Sequence, residues 1–203
     1  MRWLALYVRS RGLPAATGAA VLGTAVFWAL GQLVVDPGMR LNLAVLAVVL
    51  ATAAIAPGLA GADPALERTA AIAWPPRRAT HLVAATVVAA TVLAASTVAG
   101  KPLATVEVVV RGAVGFGGLV GLGAVVLGTG RAWLVPVGWT ALVLLGGWSG
   151  AEWYGKLLTW MTRPAGTAPA TLTAVALAAA GTIAYALHGA ADNEGQSPTN
   201  TRS

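Results

Sequence analysis

Six apolar runs, each near the length that crosses a bilayer, constrain this chain more than any other feature. They cover about 14–35, 41–60, 82–100, 104–128, 132–149 and 168–188, and charges or turn residues separate them. A helix needs about 20 apolar residues to cross roughly 30 Å of hydrocarbon. Backbone polar groups in lipid must be satisfied within the segment, which leaves helices or closed barrels, and the alternating short strands of a barrel are missing here. Only 10% of the 203 residues are charged and 57% are hydrophobic, whereas soluble domains carry about 25% charged residues. The expected fold is an all-α integral membrane protein. A single polytopic domain over 1–190 would have six transmembrane helices, followed by a polar, disordered tail over 191–203.

Residues 1–12 are too short and too charged to span. As a helix they place Trp3, Leu6 and Tyr7 on one side and Arg2 with Arg9 on another, which suits an interfacial helix. "DPGMR" (36–40) and "GTGR" (128–131) read as tight turns. The 150–167 stretch is amphipathic, with Trp153, Tyr154 and Trp160 as interface anchors. Six spans put both termini on one side. With the N-terminus inside, Arg2, Arg9, Arg11, Arg68, Arg77, Arg78, Arg131 and Arg202 lie inside, while Arg40, Lys101, Arg111, Lys156 and Arg163 lie outside. That excess favours cytoplasmic termini and a cytoplasmic 61–82 loop. The net charge of +6 then reflects topology and anionic lipid, with no nucleic-acid partner. The Arg, Ala and Gly bias suggests a GC-rich bacterial genome, and so a bacterial plasma membrane.

Chemistry-bearing patterns are sparse. "GAEWYGK" (150–156) fits Gly-x4-Gly-Lys, but Leu157 follows where a Ser or Thr should hold magnesium, and Trp153 and Tyr154 crowd a loop that must wrap phosphate. His81 and His188 have no partner at metal-ligand spacing and read as interfacial helix-end residues. With zero Cys, thiol chemistry is excluded. No catalytic, cofactor-binding or metal residue is expected, and the chain is not expected to be an enzyme by itself. Glu107 and Arg111 are four apart in the order that favours an ion pair. They are either an intramembrane pair or two side chains reaching back to the interface. Small residues recur at four-residue spacing (Ala15, Ala19 and Gly23; Gly117 and Gly121; Gly146 and Gly150), which suits close helix packing within one subunit or between two.

The exception to all this grease is "GADPALERTAAIAWPPRRATHL" (61–82). Asp63-Pro64 is a helix start. Pro75-Pro76 reads as its stop, with the next span beginning after Arg77 and Arg78. Glu67-Arg68, then Pro76, Arg77-Arg78 and Leu82 leading into a span, resemble the first cytoplasmic loop of type-2 ATP-binding-cassette (ABC) exporter permeases. The wider plan is similar too: an interfacial N-terminal helix, six spans, and a partly re-entrant stretch before the sixth. The resemblance implies a coupling helix carrying Asp63, Leu66, Glu67, Arg68, Trp74, Pro75, Pro76, Arg77 and Arg78. It also implies a separate cytoplasmic ATPase that binds ATP and Mg, and a second permease subunit, identical or related. This chain itself would hold no cofactor, and the apolar interior hints at a lipophilic cargo such as an antibiotic, peptide or lipid. The alternative is a non-transporting scaffold or immunity protein that binds a partner through the same loop.

Overall fold

The computed structural model describes residues 13–60, 74–146 and 152–191. All regular structure among them is helical. α1 spans Leu13–Leu33, α2 Pro37–Ala53, α3 Trp74–Ser96, α4 Val106–Leu127, α5 Leu134–Leu145, α6 Trp153–Leu158 and α7 Ala168–His188, with 3-10 turns at Ala56–Leu59 and Trp160–Thr162. Among the described residues, five helices are long and apolar enough to cross a membrane, the second of them running on through its 3-10 turn to Leu59. The chain is thus consistent with a multi-pass membrane protein.

The boundaries differ from expectation in instructive ways. "DPGMR" is a helix start as well as a turn: the Asp36 carboxylate accepts from the Met39 N–H at 2.6 Å and Pro37 opens α2. Its short side chain caps an orphan N–H, so the helix begins four residues earlier than the apolar run. Pro75 and Pro76 likewise belong to the first turn of α3, beginning the third long helix at Trp74 and not at 82. First-turn residues have no intrahelical N–H bond to make, so proline costs nothing there. The fifth apolar run forms a helix of 12 residues, about 18 Å long at 1.5 Å per residue. It is therefore too short to cross a bilayer alone.

The long helices alternate in direction between two ends. One end, A, gathers the start of α1, the end of α2, the start of α3 and the end of α7. The other, B, gathers the α1–α2, α3–α4 and α6–α7 connections. At end B, Gln32 Nε2 donates to the Lys101 carbonyl (3.0 Å), and Arg40 donates to the Pro102 carbonyl.

α4 is the central helix, touching α2, α3, α5 and α7. Its glycines make this possible. A Cβ on Gly118 would collide with the backbone of Leu177 and Ala178, and one on Gly181 with the backbone of Gly118. α4 and α7 therefore meet backbone to backbone, the close approach that small residues permit. Gly117, Gly112 and Gly115 similarly admit Thr86, Val48 and Trp160. The small-residue spacing thus serves packing within the subunit at Gly117, Gly121 and Gly23.

Candidate functional site

Two polar constellations stand out, one at each end of the bundle. At end A the chain leaves α2 at Leu59–Ala60 and returns at Trp74. Asp63, Leu66, Glu67 and Arg68 lie outside the described residues. Trp74, Pro75, Pro76, Arg77 and Arg78 form the first turn and a half of α3 and share its axis, which places this half of the expected coupling element inside the long helix itself.

The arginine pair divides its roles. Arg77 is exposed, its guanidinium 5.9 Å from the centre of the Trp74 ring, a cation–π distance. Arg78 turns toward the end of α7. There Gly189 takes a positive φ of 73°, and a Cβ on it would come within 2.8 Å of the Arg78 guanidinium carbon. A cation at a helix C-terminus meets the negative end of the helix dipole.

Two further side chains hold the end of α2. The His81 Nε2 lies 2.9 Å from the Gly58 carbonyl, and the Tyr185 hydroxyl donates to the Leu59 carbonyl at 2.6 Å. Both residues are buried. Ala191 N–H then donates to the Ala124 carbonyl at 2.9 Å. Thus α2, α3, α4 and α7 are fastened together where the 61–73 segment enters and leaves. His81, expected at an interface, is instead an internal tie. Tyr185 was not singled out by sequence; its signal is a lone phenol one turn from the end of an apolar helix.

At end B, Glu107 and Arg111 do not pair with each other. The Glu107 carboxylate accepts from the Gly166 N–H at 2.6 Å. Arg111 donates to the Pro164 carbonyl at 3.1 Å and to the Arg163 carbonyl. Both grip the same turn, in opposite senses of hydrogen bonding. Arg111 is 4% exposed, and its Nε has no partner among the described residues. The turn follows a segment that dips into the bundle. Trp160 is fully buried, not an interface anchor; it sits against Gly115 and its ring centre is 5.1 Å from that of Phe116. Gly115 lies about 14 Å along α4 from its start, so the 153–166 segment reaches well into the bundle. Trp153 remains exposed as expected.

Comparison with protein-family models, curated proteins and solved structures finds no match to this chain.

Proposed function

We propose that this chain is the transmembrane subunit of an ABC-type exporter, as its resemblance to type-2 permeases implies. The observation that supports this best is the junction at end A. A partner pushing on the 61–73 segment would act on helices already tied together: α2 through Gly58 and Leu59, α3 through His81 and Arg78, and α7 through Tyr185 and Gly189. The prolines of the α3 first turn add stiffness where the push would enter. A purely topogenic loop needs only its arginines. In this reading end A faces the cytoplasm, the fifth apolar run together with the re-entrant segment completes a six-span plan, and ATP and Mg bind to a separate ATPase. A second copy or a related permease completes the pathway. The cargo is lipophilic, in keeping with the apolar helix faces.

The test is purification from native membranes with bound partners, comparing the natural chain with Glu67→Arg. A carboxylate that loses water at an interface needs a cation or several N–H donors, and reversing its charge strands it. An ABC ATPase that accompanies the natural chain and is lost, or bound without transport, in Glu67→Arg is the expected result. A different protein in its place would favour the scaffold reading.

A further inference from the structure

The clamp at end B offers its two charges a second arrangement. Glu107 and Arg111 are four residues apart on α4 with the acid on the N-terminal side, the favourable order for a helical ion pair. In the observed state they instead spend themselves on the 163–166 backbone: a carboxylate on the Gly166 N–H and a guanidinium on the Arg163 and Pro164 carbonyls. Glu107 is exposed, so its half of the clamp opens without stranding a charge, whereas Arg111 is 4% exposed and would lose its partners. Breaking a buried clamp that leaves an unpaired charge is strongly resisted; here Glu107, one turn away on the same helix, can take the place of the lost carbonyls.

The segment it holds has the marks of a movable strap. Trp160 fills a slot against Gly115 and Phe116, yet among the described residues its indole N–H has no acceptor. Trp28 and Trp74 share that lack, while Trp133 donates to the Gly130 carbonyl and Trp139 to the Leu158 carbonyl, both at 3.1 Å, the latter a second tie on the strap. The closed state therefore keeps a buried donor unsatisfied, a cost that opening relieves and that offsets the loss of the Trp139–Leu158 bond. At the far end of the strap, Gly166 takes a φ of 76° with nothing within 4 Å of where a Cβ would lie. Glycine passes between left- and right-handed backbone conformations at little cost, which suits a hinge.

We infer that residues 153–166 form a strap that swings between a closed state, clamped to α4 by Glu107 and Arg111, and an open state in which these two side chains pair with each other. Opening lifts Trp160 out of the bundle and uncovers Gly115, Phe116 and Thr140 from end B. This inference stands apart from the exporter reading and can fail independently of it.

The Cys-free chain allows a direct test in lipid nanodiscs. A single Cys replaces Met161, which is 2% exposed on the strap, and its reaction with a small methanethiosulfonate is timed. Ala124→Cys, at a fully buried site on α4, reports general loosening. Each reporter is placed in the natural background, in Glu107→Met, in Arg111→Met and in the double variant, methionine keeping the length of both side chains without a donor or a strong acceptor. Losing the clamp should speed labelling at Met161→Cys by about tenfold or more in the double variant, with Ala124→Cys unchanged. Each single change also removes the open-state pair, so the double variant should label about threefold faster than the product of the two single effects. A double effect equal to or below that product overturns the exchange. An unchanged Met161→Cys rate in the double variant, or an equal rise at Ala124→Cys, overturns the strap. If the neutral double variant does not fold, the swapped chain Glu107→Arg with Arg111→Glu decides. It keeps a pair but cannot form the clamp, so it should label at least about tenfold faster than the natural background, and a natural rate refutes the proposal.

Discussion

α4 and α7 are near twins in sequence terms and opposites in place. They have 22 and 21 residues with mean hydropathies of 1.8 and 1.7, yet 78% of the α4 window is buried against 28% for α7. Hydropathy decides that a segment leaves water; it does not decide whether lipid or protein replaces the water. What distinguishes α4 is its six glycines, at 112, 115, 117, 118, 121 and 123, spread around the helix so that neighbours approach from several sides. α7 has one glycine within its helix, Gly181, at the place where it meets Gly118. The rest of its surface carries Leu172, Val175, Ile183 and Leu187, all exposed.

The largest effect should come from filling the backbone contact between these two helices. Gly118→Leu or Gly181→Leu meets backbone, which has no flexible end to move aside, and should cost at least about 3 kcal/mol. Thermal unfolding in detergent, or loss of a monodisperse peak, would show it. The same change at Gly18 on α1, where no described residue lies within 4 Å of a Cβ, should leave the protein folded. Comparable loss at all three positions would mean that glycine content, not the α4–α7 approach, sets stability.

Next in size is the indole that α4 accommodates. Trp160→Ala empties a fully buried site and should cost about 3 kcal/mol. Trp153→Ala, at a residue 71% exposed, should cost under about 0.5 kcal/mol. Equal melting temperatures for the two variants would contradict the placement of Trp160 inside the bundle.

A smaller effect sharpens the comparison from the α7 side. Tyr185→Phe removes one hydrogen bond, to the Leu59 carbonyl, and leaves the packing; about 1 kcal/mol is expected. Hydrogen exchange at residues 58–60 should rise while α4 stays protected. Unaltered exchange there would show that the tie does not hold the end of α2.

The same contrast separates what the sequence reveals from what it hides. Apolar runs placed the bodies of α4 and α7 to within a few residues, because helix length and hydropathy are local quantities. Trp160 was misplaced because an amphipathic pattern puts an aromatic at the interface, while its slot is made by Gly115, 45 residues earlier in the chain. Glu107 and Arg111 have the spacing of an ion pair, but the backbone of a turn more than 50 residues away offers both a donor and acceptors, and these win. Pro75 and Pro76 carried a readable signal with two meanings, stop or start, and the absence of any first-turn N–H requirement selects the start.

Everything proposed for the 61–82 loop depends on end A facing the cytoplasm and end B facing out. Single cysteines at Ala60 and Lys101, both exposed and at opposite ends, test this directly with a membrane-impermeant thiol reagent. In sealed cells Lys101→Cys should label fully, and Ala60→Cys only after the membrane is opened. Labelling of Ala60→Cys in intact cells, or of both from the same side, would contradict the account.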